Sequence, residues 1–269
     1  MMNAIDNQLR QAPGRSLPKI LITVLVLGIF LWSTSAVQLK NAPENGLSIA
    51  KNILLGLVQP NTDLLFNMTS GGVLYLLLET MAIAFLGTIV GAIVAIPLAF
   101  LSASNIVPRP VAFVIRLLLI VIRTIPAIVY GLMFIRVTGQ GPFAGVLTMS
   151  LTSVGMLSKL YVDVIEDLNT SVLESMESIG CTTMEKIRYG ILPQLSAMFM
   201  SIVIYRYDMN LRDAAILGLV GAGGIGAPLI FAMNSYRWSE VGSILIGLIL
   251  LILVVEVVSN KVRSKLVNG

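Results

Sequence analysis

The stretch 218-GLVGAGGIGAPL-229 places Gly221, Gly223 and Gly226 at the G-x-G-x-x-G spacing of a dinucleotide-binding turn. That spacing works only between a strand and a helix, with a carboxylate about 20 residues on to meet a ribose hydroxyl. Here both flanks are apolar segments, and the acids that follow, Glu240 and Glu256, sit at the mouth and in the interior of the second one. The dinucleotide reading is set aside. Gly221, Gly223, Gly224 and Gly226, followed by Pro228, interrupt a helix instead. Glycine costs about 1 kcal/mol in a helix interior, and proline removes a donor. Broken backbone persists at membrane depth only where protein or a water-filled cavity satisfies its polar groups. The run reads as a gate or re-entrant turn, with a plain extracytoplasmic turn as the alternative.

The composition demands a membrane. Of 269 residues, 56% are hydrophobic and 12% charged, with a mean hydropathy of +0.90, whereas about a quarter of the residues in soluble domains are charged. One cysteine, Cys181, and no histidine leave no intrachain disulfide, no thiol–imidazole pair and no zinc-type cluster. Cys181 reads as a small buried side chain, and the methionines as fillers between helices. No G-x-x-x-x-G-K-[ST] occurs, so the chain lacks a P-loop. The net charge of +4 bears first on topology and calls for no nucleic-acid partner.

A helix needs about 20 predominantly apolar residues to cross the ~30 Å hydrocarbon core. Six stretches qualify: Leu21 to Val37, Val73 to Leu101, Val111 to Ile135, Pro142 to Tyr161, Gln194 to Val220, and Val241 to Val258. The fold class is therefore all-α, with six transmembrane helices. A signal peptide cleaved near Thr34-Ser35-Ala36 is the weaker reading of the first stretch, whose apolar run exceeds the roughly 7 to 15 residues of a signal core. With both termini cytoplasmic, Arg10, Arg15, Lys19, Arg109, Lys159, Lys186, Arg188, Lys261, Arg263 and Lys265 lie inside, against Lys40, Lys51, Arg136 and Arg237 outside. That is the excess the positive-inside rule requires. Residues 1–70 form a cytoplasmic tail, the first span and an extracytoplasmic amphipathic segment in which Leu47, Ala50, Leu54 and Val58 recur at helical spacing. Residues 71–269 form the core, with a cytoplasmic loop over 163–193.

That loop, 163-DVIEDLNTSVLESMESIGCTTMEKIRYGILPQ-194, is long for a connection between membrane helices. Val172, Met176, Ile179 and Thr183 follow an i, i+4, i+7, i+11 course, which predicts a short amphipathic helix. Gly180 permits a turn or a close approach, and Leu192-Pro193 opens the fifth span, where proline is tolerated in the first turn. Here the chain resembles the permease subunits of ATP-binding-cassette importers, whose cytoplasmic signature is E-A-A, three residues, G, nine residues, I, one residue, L-P. Glu174, Gly180, Leu192 and Pro193 keep that spacing. Ser175 and Met176 replace the two alanines, and Gly190 stands at the isoleucine position.

The runs 205-YRYDMNLRDAAILGLVGAGGIG-226, 140-QGPFAGVL-147 and 155-GMLSKL-160 look like the permeases of phosphonate-type importers, a resemblance that covers most of the chain from about Glu79 onward. Methionine-type importers share the glycine run and the loop but match the segment around Arg206 and Asn210 less well. The resemblance implies a type I importer permease fold in a bacterial cytoplasmic (inner) membrane. It implies uptake of phosphonate, phosphite or a related oxyanion, with methionine or another amino acid as the alternative cargo. It also implies no catalysis by this chain, a homodimer, two ATPase subunits that hold ATP and magnesium, and an extracytoplasmic binding protein. Val172, Glu174, Met176, Gly180, Leu192 and Pro193 then form the element that couples to the ATPase.

The fifth span carries charges. Arg206 lies about twelve residues in, ~18 Å along a helix and near the bilayer centre. It shares a face with Asn210, Asp213 and Leu217, while Asp208 and Arg212 pair at i, i+4 on another. Ionisable groups at this depth face a bundle interior or a cavity. Two readings stand: a buried network that fixes packing, or a path on which Arg206 and Asn210 meet a small anion, for which the guanidinium fork is suited. Asp208 with Arg212 reads as a structural pair. In Arg123-Thr124-Ile125-Pro126, Pro126 frees a carbonyl and kinks the helix, and Arg123 either satisfies such a carbonyl, the favoured structural use, or faces the same cavity as Arg206. Lys159 and Asp163 read as an interfacial anchor.

Overall fold

The computed structural model describes residues 16–36, 46–69, 71–168 and 170–268. Those residues contain helices and turns and no strand. In chain order the helices are α1 (Ser16–Ala36), α2 (Gly46–Val58), α3 (Thr62–Leu65), α4 (Val73–Ser102), α5 (Arg109–Thr124), α6 (Ala127–Thr138), α7 (Pro142–Glu166), α8 (Thr170–Ser178), α9 (Thr183–Glu185), α10 (Leu192–Gly218), α11 (Gly226–Asn234) and α12 (Trp238–Asn268). One turn of π-helix, Lys186–Ile191, joins α9 to α10. The chain divides into two units, one ending at Ala50 and the other beginning at Lys51. In the first, the apolar side chains of α1 from Ile20 to Trp32 are exposed, as suits contact with lipid. Arg10, Arg15 and Lys40 lie outside the described residues.

Four helical runs among the described residues are long and apolar enough to cross a bilayer: Val73–Ser102, Pro142–Glu166, Thr183–Gly218 and Trp238–Leu266. The stretch predicted as one span over Val111 to Ile135 is instead two helices, α5 and α6, bent by 84°. Proline causes the break. It disfavours helical backbone at the residue before it, and Ile125 is extended at φ −84°, ψ 124°. Pro126 also has no N–H for the carbonyl of Ile122, four residues back. The Tyr130 hydroxyl donates to that carbonyl at 3.1 Å. Counting the bent pair, the described residues hold up to five spans by length and composition.

α4 and α7 pack along a seam of small residues. A Cβ at Gly87 would overlap Met149, and one at Gly91 would lie 2.5 Å from the Cβ of Ser153. On α4, Ala84, Thr88, Ala92, Ala95 and Ala99 extend the buried face at helical spacing. Small residues let helix backbones approach closely where lipid tails supply no hydrophobic drive between helices. α10 lies across this pair. At its start, Leu195 and Phe199 join Tyr161 and Ile165 of α7, with the Tyr161 and Phe199 rings 4.5 Å apart. Towards its end, Leu211, Ala214 and Leu217 pack with Ile83 and Ala84 of α4 and Met149 of α7. α12 closes the other side of α4, where Val241, Ile244 and Leu248 meet Val73, Leu76 and Leu77.

Overfilling a packed seam costs about 1–3 kcal/mol. Gly87→Val is therefore expected to lower the thermal midpoint of the detergent-solubilised protein by several degrees. Gly28→Val in α1, with nothing within 4 Å of its Cβ, should leave it unchanged. A scanning fluorimetry trace from each variant checks both.

Candidate functional site

The loop between α7 and α10 is built by three local devices. The turn that closes α8 is set by Gly180, whose φ of +83° suits glycine. There the N–H of Cys181 donates to the carbonyl of Met176 at 3.0 Å, and that of Gly180 to Glu177 at 2.9 Å, a Schellman cap. Thr182 and Glu185 then form a capping box that starts α9. Finally, Lys186 Nζ lies 2.9 Å from Glu177 Oε2, tying α8 to the π-turn below α10. The apolar stripe predicted from Val172 to Thr183 is thus not one helix. The cap turns the chain after Ser178, Ile179 is exposed, and Thr183 belongs to α9.

Val172 falls in α8, but its side chain lies outside the described residues. Glu174 is exposed and Met176 half-buried. A Cβ added at Gly190 would stand 2.6 Å from the Met176 sulfur. Two of the three departures from the importer signature are therefore in contact: a large side chain at 176 fills the space left by glycine at 190. Leu192 and Pro193 open α10 as its first turn.

Arg206 and Asn210 sit where α10 crosses the α4–α7 seam. Arg206 is only 5% exposed, and its guanidinium donates to Ser153 Oγ at 3.2 Å, Thr152 Oγ1 at 3.3 Å and Met156 Sδ at 3.0 Å, all neutral acceptors on α7. Asn210 is fully buried and donates to Thr88 Oγ1 at 2.8 Å and Ser153 Oγ at 2.7 Å. Its carbonyl oxygen has no partner among the described residues. Arg212 lies 2.9 Å from Asp208 and 3.3 Å from Glu256 of α12, so the pair noted in the sequence is part of a triad that reaches a second helix. Spacing along one chain cannot disclose Glu256.

The glycine run caps α10 and turns the chain into α11. Gly221, Gly223 and Gly224 have φ of +95°, +83° and +73°. The N–H groups of Gly221 and Ala222 return to Gly218 and Leu217, a second Schellman cap. α4 then satisfies two further donors: Gly224 N–H bonds Glu79 Oε1 at 3.0 Å, and Ile225 N–H bonds Thr80 Oγ1 at 3.0 Å. A Cβ at Gly223 would lie 2.7 Å from Pro142, the first residue of α7, and one at Gly218 would lie 2.6 Å from the Gly226 nitrogen. The turn is clamped by two helices. Glu79 and Thr80 were not singled out from the sequence, although a lone carboxylate inside the apolar run Val73 to Leu101 is the signal that marks such a residue.

Among the described residues, no group of His, Cys, Asp or Glu is placed to hold a metal ion. Residues 95–263 match the family model described as binding-protein-dependent transport system inner membrane component. The chain is 33% identical over 189 residues to the phosphite transport system permease protein PtxC of Stutzerimonas stutzeri, covering 70% of this chain and 69% of that one. It is 31% identical over 190 residues to the phosphate-import permease protein PhnE of Mycolicibacterium smegmatis, spanning 70% of this chain but only 36% of that relative's length. Among solved structures, an inward-facing MetNI methionine ABC transporter chain superposes with a TM-score of 0.62 at 18% identity, over 72% of this chain and 95% of that one. This likeness is one of fold. The protein belongs to the family of binding-protein-dependent transport system inner membrane components.

Proposed function

We propose that the chain is the membrane-spanning subunit of an ATP-driven uptake transporter for phosphonate, phosphite or a related small phosphorus oxyanion. The observation that carries this reading is the 33% identity to the phosphite permease over 70% of the chain. The phosphate-import relative adds a second phosphorus oxyanion. Methionine or another amino acid as cargo has only a fold likeness at 18% identity behind it. In this reading α1, α4, the bent pair α5 and α6, α7, α10 and α12 are six spans, and both termini face the cytoplasm. Two copies form the pathway. Each contacts one ATPase subunit, which binds ATP and magnesium, and an extracytoplasmic protein delivers the oxyanion.

The chain itself makes and breaks no bonds; it transmits motion. α8, with Val172, Glu174 and Met176, docks on the ATPase. The ion pair of Lys186 with Glu177 and the contact of Met176 with Gly190 pass its displacement to α10. Gly180 sets the angle of this joint, and Leu192 with Pro193 begins the lever. α10 carries Arg206 and Asn210 along its length and Gly221, Gly223, Gly224 and Gly226 beyond its far end. Tilting α10 away from α7 uncovers the Arg206 guanidinium, now on neutral hydroxyls and a thioether, for a tetrahedral oxyanion. The same motion pulls on the glycine gate. Asp208 and Arg212 stay paired and hold α10 to α12 through Glu256.

Glu174→Lys with Gly180→Trp is expected to abolish uptake of labelled phosphite and its ATP dependence while membrane insertion stays normal. Wild-type uptake by that double variant would remove the coupling assignment. Loss of a charge-assisted contact is worth about 1.5–3 kcal/mol, so Arg206→Gln should slow uptake by roughly tenfold or more. Arg206→Lys keeps the charge and should retain part of the rate. Uptake normalised to membrane-inserted complex decides this, and an unchanged rate in Arg206→Gln would make the arginine packing material. Uptake of labelled methionine with none of labelled phosphite would favour the amino-acid reading.

A further inference from the structure

α5 carries Arg116 and Arg123 seven residues apart, ~10 Å along one side of the helix. α7 presents Lys159, Asp163 and Glu166 at i, i+4 and i+7, hence on one face. These five side chains and Ser102 line a crevice of about 210 Å³ between the helices. Arg116 meets Glu166, while a Cβ at Gly155 would lie 2.7 Å from Cγ of Arg123. The two helices therefore run antiparallel past the crevice.

Its two ends differ in charge. At the end near the α7 C-terminus, Arg116 is bonded to Glu166 and donates through Nε to the Ser102 carbonyl at 2.9 Å. Glu166 also accepts from the Ser104 backbone N–H at 2.7 Å and from the Ser104 hydroxyl. That end is neutralised and rigid. At the inner end, Lys159 lies 3.3 Å from Asp163, with both side chains about half exposed. Arg123 has no hydrogen bond or ion pair there or elsewhere among the described residues. Two cations thus stand against one carboxylate, and only Lys159 is paired with it.

The usual structural employments of Arg123 are already filled. The carbonyl freed by Pro126 is taken by the Tyr130 hydroxyl, and the nearby carboxylates have partners of their own. Gly155 makes room for the arginine stem on α7. Arg123 is exposed, so its guanidinium is open to a partner from outside the chain. A guanidinium fork takes two oxygens of a tetrahedral anion side by side, and an ammonium takes a third as a point charge. Arg206, about 95% covered and engaged by neutral acceptors, is less available than Arg123.

We propose that the inner end of the α5/α7 crevice, Arg123 with Lys159, is a binding site for a phosphate-class oxyanion. That chemistry reaches the crevice from two sources: a free phosphate or phosphonate leaving the pathway, or the phosphodiester of an anionic phospholipid between the helices. The first source rests on the transport reading above. The second does not.

The test uses the full-length protein in nanodiscs of phosphatidylcholine. A limiting amine-acylating reagent is applied, and modification of Lys159 is read by mass spectrometry with exposed Lys261 as the internal reference. Inorganic phosphate or methylphosphonate in the buffer should slow acylation of Lys159 several-fold relative to Lys261 if the free anion binds. Discs containing phosphatidylglycerol should do so without added anion if the lipid binds. Arg123→Gln should raise the phosphate concentration for half protection about tenfold, and Arg123→Lys by less. Equal acylation of Lys159 in all three media overturns the proposal, and because it is measured on the wild-type protein, a misfolded variant cannot produce it. Protection by phosphatidylglycerol alone, together with failed phosphite uptake in cells, would sink the transport reading and leave the site standing.

Discussion

The close approach of α4 and α7 sets the terms for the other helices. In a bilayer, association rests on packing and hydrogen bonding rather than on escape from water. Gly87 and Gly91 bring the two backbones near enough that Thr88 on one helix and Ser153 on the other bond the same amide, Asn210 of α10. Two turns along α4, Glu79 and Thr80 hold the glycine turn, while Pro142 at the head of α7 presses on it from the other side. Both anchors are therefore referenced to one seam. A methyl group inserted there moves the crossing of α10 and the cradle of the turn together.

The helical class and the apolar segments were legible because hydropathy and helical spacing are properties of consecutive residues. So was the shared burial of Arg206 and Asn210, which follows from a spacing of four. What was not legible depends on backbone direction or on residues far apart in the chain. Hydropathy runs smoothly from Val111 to Ile135 and gives no hint of an 84° break; the proline marks the place of the break but not its angle. The loop stripe ended early because a Schellman cap at Gly180 overrides the apolar pattern beyond it. Glu79 and Glu256 lie 145 and 44 residues from the groups they bond.

The arginines show why residue type alone says little about role. Arg212 is held between two carboxylates, Arg206 is surrounded by hydroxyls and a sulfur, and Arg116 bridges a carboxylate and a carbonyl. Each has its charge or its donors answered by protein. Arg123, two residues before the extended Ile125, is not answered. The difference arises from what the neighbouring helix offers at that level: α7 presents Thr152, Ser153 and Met156 to one side, and Gly155 with Lys159 to the next.

The contact of Met176 with Gly190 joins two positions fourteen residues apart into a single heritable unit. Changing glycine at 190 to a branched side chain while methionine remains at 176 overfills the joint, costing about 1–3 kcal/mol. Shortening the methionine first opens only a small, half-exposed gap, which neighbours can close in part. Mutational routes between this loop and one with alanine at 176 and isoleucine at 190 are thus lopsided: the order that hollows before it fills is passable, and the reverse order is not. A chimera that exchanges α8 alone between two such lineages would carry half of the unit, and its joint would inherit a fault that neither parent has.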